Sequence, residues 1–329
     1  MTFLSFSIGV LLLLLSGCER DEINGITDTG KPPNAPFGLK ISYAFDGTIG
    51  IEWTPNNGSK VQGYNIYRSD GDTLNYKKID FTTSNFYDDD SLQYRKFYYY
   101  KVSTVDIFGR ESSLTNSVDA QPINKYIPFI AREVTANARN WDSSQSIYIH
   151  WIPSPESDIK NYLIYRNTTP NFLTTVENLL DSSSTYFYSD TTNLKLFVRY
   201  NYKIITQDKG GLKSKASQEA SDFLLDKPLP IFPSNNSSVN YFDMFTVKTA
   251  SLPANYKLQI RSNAITGILK EISFLSKEKH SNIKVKLDQF TFEPFKTYYW
   301  QVFTYTSDNF DPNSFSDTFS FTIVPNNGK

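Results

Sequence analysis

Apolar and polar residues alternate along most of the chain after residue 32. Ile49, Ile51 and Trp53 share one parity, as do Tyr98, Tyr100, Val102 and Thr104, and the residues between them are mostly polar. Successive side chains of an extended strand point to opposite faces, so this two-residue period predicts strands with one buried and one solvated face. No stretch sustains a helical period. Turn-forming residues punctuate the strands at Asp46-Gly47, Asn57-Gly58, Asp70-Gly71 and Lys209-Gly-Gly211. Short strands broken by turns about every ten residues indicate an all-β protein built from sandwiches.

The pattern also repeats. Trp53-Thr-Pro55 returns as Trp151-Ile-Pro153, and Tyr64-Asn-Ile-Tyr-Arg68 as Tyr162-Leu-Ile-Tyr-Arg166, both 98 residues on. Tyr98-Tyr-Tyr-Lys-Val102 returns as Tyr200-Asn-Tyr-Lys-Ile204 at a spacing of 102, with Asp106, Gly109 and Ser112 matched by Asp208, Gly211 and Ser214. The second copy therefore carries a four-residue insertion in a loop. A more divergent third copy holds Phe245-Thr-Val247, Tyr256-Lys-Leu-Gln-Ile260, Tyr298-Tyr-Trp-Gln-Val302 and a closing Phe319-Ser-Phe-Thr-Ile323. The expected domains are residues 32–123, 124–226 and 227–325, each able to bury its own core, with Pro122, Pro228, Pro230 and Pro325 at the junctions.

The first two units resemble the fibronectin type III family in the tryptophan of the second strand, the Tyr-x-Ile-Tyr-Arg third strand and the Tyr-x-Tyr-x-Val strand that runs into Asp and Gly. The resemblance implies that Trp53 and Trp151 are core residues. It also implies that Tyr98 and Tyr200 occupy tyrosine corners, where the hydroxyl bonds to nearby backbone. In the third unit the tryptophan has moved to position 300, which leaves fibronectin-like and immunoglobulin-like sandwiches both open.

The amino terminus reads as an address. Residues 3–15 are an apolar run, FLSFSIGVLLLLL, long enough for a signal-peptide core and shorter than the roughly 20 residues that span a bilayer. The run ends in Leu15-Ser-Gly-Cys18, and Cys18 is the only cysteine of the chain. This motif resembles the lipobox of bacterial lipoproteins, although no Lys or Arg precedes the run. The resemblance implies a signal peptide over residues 1–17, lipidation of Cys18 by fatty acyl chains such as palmitate, and a membrane anchor without a transmembrane helix. Residues 18–31 are polar and read as a flexible tether. Glu19-Arg-Asp-Glu22, just behind the cysteine, resembles the surface-export signal of Bacteroidetes-type lipoproteins, and a solvated spacer is an equal alternative. The expected location is the cell envelope, at the outer membrane or cell surface.

Composition narrows the chemistry further. The net charge of −1 provides no overall field for a polyanion, which argues against nucleic acid as a partner. One cysteine and two histidines cannot build a disulfide framework or a thiolate or imidazole metal cluster, so no cofactor or metal is expected. His150 immediately precedes Trp151 in a strand and so faces away from the core, while His280 lies in the polar segment Lys277-Glu-Lys-His-Ser281. Solvated roles suit both better than catalysis. Asp88-Asp-Asp90 is a sharp acidic cluster, but calcium is the less favoured reading beside an ordinary turn.

With 16% of residues aromatic, exposed rings are the best binding candidates, because flat rings stack on sugars and anchor protein interfaces. Alternation or loop placement turns Tyr67, Tyr99, Trp141, Tyr165, Tyr299 and Phe310 outward. The sequence thus predicts a non-enzymatic, lipid-anchored protein that binds or adheres to a protein or glycan. Its alternatives are a structural spacer of an envelope assembly and a carbohydrate-binding accessory of a polysaccharide-processing system. A surface patch of two or three coplanar aromatics would select the glycan.

Overall fold

The structure is a computed structural model. It describes residues 30–56, 60–141, 144–306 and 311–325, together with the backbone of two short paired strands, β1 (Glu22–Ile23) and β2 (Ile26–Thr27). Cys18 and Phe310 lie outside the described residues. The chain divides into two compact units, residues 1–125 and 126–329.

In the first unit the alternating segments form β3 (Phe37–Phe45), β4 (Thr48–Thr54), β5 (Val61–Asp70), β6 (Lys77–Thr82), β7 (Phe86–Asp89), β8 (Tyr98–Asp106) and β9 (Val118–Ala120). Strands β3-β4-β7 make one sheet and β6-β5-β8-β9 the other. Ile49, Ile51 and Trp53 from the first sheet meet Tyr64, Ile66, Tyr100 and Val102 from the second in one buried cluster. The two-residue period thus fills a sandwich core as expected.

The second unit holds two sandwiches. One comprises β10 (Arg132–Trp141), β11 (Ser144–Ile152), β12 (Ile159–Asn167), β13 (Leu179–Ser183), β14 (Phe187–Asp190), β15 (Arg199–Asp208) and β16 (Ala220–Phe223). The other comprises β17 (Leu229–Phe232), β18 (Ser237–Val239), β19 (Met244–Lys248), β20 (Ala254–Arg261), β21 (Ile268–Ser276), β22 (Asn282–Lys286), β23 (Thr297–Tyr305), β24 (Ser314–Phe315) and β25 (Phe319–Ile323). Each keeps its own core, centred on Trp151 and on Trp300.

The tyrosine corner recurs three times. The backbone N–H groups of Gln93, Lys195 and Glu293 donate to the hydroxyls of Tyr98, Tyr200 and Tyr298 at 3.0, 3.0 and 2.8 Å. The first two sandwiches also share a buried cluster that the sequence did not announce. Tyr100 and Tyr202 each donate at 2.7 Å to a buried carboxylate, Asp89 and Asp190, which also accepts from Arg68 at 3.0 Å or Arg166 at 2.7 Å. Asp89 is thus the middle of the acidic cluster and is consumed by structure. Among the described residues no group of three or more metal-ligating side chains converges there or elsewhere.

One sheet crosses from the second sandwich to the third. Its path is β14-β11-β10-β24-β23-β20-β21, joined where Asn140 of β10 pairs in parallel with Ser314 of β24. The segment that connects the two sandwiches is clamped group by group. Phe223 O accepts from Asn313 Nδ2 at 2.8 Å, and Leu225 N donates to Asn313 Oδ1 at 2.8 Å. Leu225 O accepts from Asn140 Nδ2 at 2.7 Å, and Asp226 O from Ser314 Oγ at 2.8 Å. Neighbouring side chains of an extended segment point opposite ways, and here Leu224 enters the second core while Leu225 enters the third.

Two outcomes are expected from these contacts. Asp190→Ala strands the Arg166 guanidinium and the Tyr202 hydroxyl, and equilibrium urea denaturation should show a loss of about 3–5 kcal/mol in the second unit. Asn313→Ala removes the partner of the Leu225 N–H and of the Phe223 C=O, a cost of about 2–6 kcal/mol at the usual penalty per buried polar group. Hydrogen exchange should quicken at Leu225 while the first unit is unchanged.

Candidate functional site: an aromatic face on the shared sheet

The inner faces of β10, β11, β20 and β23 supply the cores, so their alternate residues stand on the other side of the shared sheet. Alternation gives this outer face Asn137, Arg139 and Trp141 from β10, Tyr148 and His150 from β11, and Phe187 from β14. The third sandwich adds Phe315 from β24, Phe303 and Tyr305 from β23, and Lys257 and Gln259 from β20. Neighbouring strands lie about 4.8 Å apart, so the seven-strand path spans about 29 Å.

The rings on this face touch in sequence. Tyr186 meets His150 edge-on at 5.6 Å and Phe187 at 5.9 Å. Phe187 lies nearly parallel to Tyr148, with centroids 5.9 Å apart and planes 28° apart. The Arg139 guanidinium bridges Tyr148 and Trp141, 4.7 Å from one ring and 5.0 Å from the other. Trp141 continues to Phe315 at 6.1 Å and Phe315 to Phe303 at 5.9 Å. Tyr186 and Phe187 are 50% and 42% exposed, and the remaining rings are half-buried, so their faces are offered without being loose.

Polar groups fix the ribbon in place. Trp141 Nε1 donates to Pro312 O at 2.8 Å, and Arg139 pairs with Asp311 at 2.6 Å. Asn137 Nδ2 donates to the same carboxylate at 3.4 Å, and Lys257 pairs with Glu271 at 3.6 Å. Burial, with Glu271 and Asp311 adding to it, pushes the Tyr305 phenol above its ordinary range, so this ring presents a neutral hydroxyl. Rigid rings interspersed with amides and paired charges suit a ligand with apolar faces and many hydroxyls.

The other aromatic candidates resolve differently. Tyr165 points away from the core, as alternation requires, but it is only 7% exposed. Ile66 pairs with Asp80 whereas Ile164 pairs with Asp181, so three of the four inserted residues lie between β12 and β13. That longer loop folds Phe172 over Leu163, Tyr165 and Ile205. The expectation of an outward Tyr165 is thus corrected by a covering loop. Tyr67 is half-buried and donates to Glu111 at 2.6 Å; burial and then this bond push its phenol up to about 12. Tyr99 stacks on Phe97 at 6.4 Å, and Tyr299 is half-buried beside the third-sandwich end of the ribbon.

His280 has more company than its segment suggested. Its Nε2 lies 2.8 Å from Ser251 Oγ and 2.9 Å from Asp226 Oδ2, and Ser251 Oγ is 2.7 Å from the same carboxylate oxygen. A serine-activating histidine needs one nitrogen for the hydroxyl and the other for the carboxylate. Here a single nitrogen faces both, and Asp226 also accepts from the Ser251 backbone at 2.8 Å. The trio braces a turn.

A separate cleft of about 760 Å³ opens in the second unit below the start of β10, lined by Phe129, Ile130, Pro153, Pro155 and Ala216 among others. Arg132, Glu133, Ser154, Ser217 and Gln218 also line it, and the Phe129 N–H is committed to Glu156 at 2.8 Å.

No family model matches the chain. The amylopullulanase of Thermoanaerobacterium thermosulfurigenes is 31% identical over 122 residues, 36% of this chain, and the chain spans 6% of that protein's length. Among solved structures, the FN1–FN3 domains of chicken CNTN1 superpose with a TM-score of 0.36 at 13% identity, over 89% of this chain and 100% of that one. The β-1,2-glucanase of Parabacteroides distasonis superposes with a TM-score of 0.26 at 31% identity, over 29% of this chain and 14% of that one.

Proposed function

We propose that this chain is a non-catalytic, lipid-anchored glycan-binding protein of the cell envelope, an accessory that holds polysaccharide against the surface through tandem fibronectin-like sandwiches. The observation that carries the reading is the ribbon from Tyr186 to Phe303, which supplies several ring faces on one rigid sheet. Stacking on successive rings adds small contributions along an extended ligand, so a polymer gains what a monosaccharide cannot. The sequence match to an amylopullulanase over 122 residues supports a carbohydrate setting. The anchor rests on Leu15-Ser-Gly-Cys18 and on the polar tether behind it.

A protein partner is the second reading. It is favoured by exposed Tyr126, Ile127 and Phe129 beside the cleft under β10.

Affinity electrophoresis of residues 19–329 through gels containing different soluble polysaccharides tests the first reading. At least one polymer should retard the protein, and Tyr148→Ala with Phe187→Ala should abolish the retardation while leaving the melting temperature within a few degrees. No retardation by any polymer, or retardation indifferent to both substitutions, would refute it. For the anchor, cells fed radiolabelled palmitate should label the full chain but not Cys18→Ser.

A further inference from the structure

Charges on the aromatic face are almost all neutralised in pairs. Arg139 has Asp311 and Lys257 has Glu271. Arg261, at the end of β20, differs: it is 7% exposed, and all of its hydrogen-bond partners are neutral. Its Nε and Nη2 donate to Gln259 Oε1 at 3.1 and 2.9 Å, Nη2 also donates to Gln301 Oε1 at 2.6 Å, and Nη1 donates to Ala264 O at 3.2 Å. No carboxylate pairs with it among the described residues.

The other arginines tied into these sandwiches show what a partner does. Arg68 and Arg166 are also desolvated, but Asp89 and Asp190 outweigh the burial and raise their pKa values. For Arg261 desolvation acts alone and lowers it. A guanidinium nonetheless stays protonated at neutral pH, so one face of the sheet carries an uncompensated positive charge in surroundings that screen it weakly.

The charge lies beside the ribbon. Its guanidinium is 5.6 Å from the Phe303 ring, and Arg261 pairs in register with Tyr299. Gln259 and Gln301 hold the nearly buried guanidinium against the sheet; the Gln259 amide donates to Glu271 at 2.7 Å, but that acid already serves Lys257. Arg261 and Gln301 are both nearly buried, so an anion over the half-buried Tyr299 would feel this charge through weakly screening surroundings without displacing any of the contacts.

We propose that the glycan held by the ribbon is acidic, carrying carboxylate or sulfate groups whose countercharge is Arg261. This rests on the glycan reading above and specifies the ligand class. The ribbon supplies affinity by stacking, and Arg261 selects for charge at the end that lies in the third sandwich.

The test uses matched polymer pairs that share a backbone: methyl-esterified and de-esterified pectin, starch and C6-oxidised starch, and dextran and dextran sulfate. Residues 19–329 should bind the acidic member of at least one pair about tenfold more tightly at 50 mM salt, and the ratio should shrink at 500 mM as screening grows. The carboxylated and sulfated arms identify which anion is read. Arg261→Gln removes the cation and Gln259→Glu neutralises it in place; each should bring the ratio to about twofold or less, and the second keeps the test valid if the first unfolds. Equal binding of both members by the parent protein, or a ratio unchanged in Gln259→Glu, overturns the proposal while the glycan reading stands. Failure to bind any polymer overturns both.

Discussion

The second unit depends on how the five-residue connection between β16 and β17 satisfies its backbone. Between β16 and β17 the chain passes through dry surroundings, with Leu224 and Leu225 both fully buried. Unpaired peptide groups there would each cost about 1–3 kcal/mol. Asn313 and Asn140 remove that cost by acting as surrogate backbone, the first offering both a donor and an acceptor to Phe223 and Leu225, the second a donor to Leu225. The parallel contact of Asn140 with Ser314 follows from the same placement, because Asn140 N donates to Asn313 O at 2.6 Å. With the junction locked, the outer face becomes one surface, and rings from two sandwiches keep a constant spacing. A hinged junction would split the ribbon between Trp141 and Phe315.

The three sandwiches solve the problem of their cores in two ways. In the first two, a tryptophan on the second strand lies edge-on to a tyrosine of the third at 5.3 Å, and a buried phenol ties the core to an arginine and an aspartate. In the third, Phe245 takes the tryptophan's place and Trp300 takes the phenol's, meeting at 4.9 Å. An indole in that position has no hydroxyl to give a carboxylate, and the neighbourhood is correspondingly apolar. All three tryptophans bury an indole N–H that finds no protein acceptor. The bulk of the ring evidently outweighs one lost hydrogen bond at the centre of a small sandwich.

Local periodicity made the strands and the repeats readable, and the fibronectin type III resemblance implied the corner tyrosines of the first two sandwiches, because each depends on residues close in sequence or on a motif copied intact. Trp53, Trp151, Tyr98 and Tyr200 are buried where alternation and resemblance put them. The aromatic face was readable only in part. Alternation or loop placement turned Trp141 outward, and alternation set His150 on the outer side of its strand, whereas nothing in the pattern singled out Tyr148 or Phe187. What completes the face is a contact between residues 140 and 314, and no local pattern announces a two-residue strand such as Ser314–Phe315. Tyr165 shows the opposite limit. Its side was read correctly, but whether a loop lies over that side depends on a short insertion whose path the periodicity does not encode.

Leu224 and Leu225 make the junction a ruler of zero length. Adding or deleting one residue between Phe223 and Asp226 would swap which leucine feeds which interior and send the clamped peptide groups to the wrong asparagines. Sequence drift at this joint is therefore confined to substitution, whereas the loop after β12 has absorbed inserted residues by turning them into a cover. The distance between the second and third sandwiches is set by stereochemistry, and a lineage could vary every ring on the face while inheriting the same frame for displaying them.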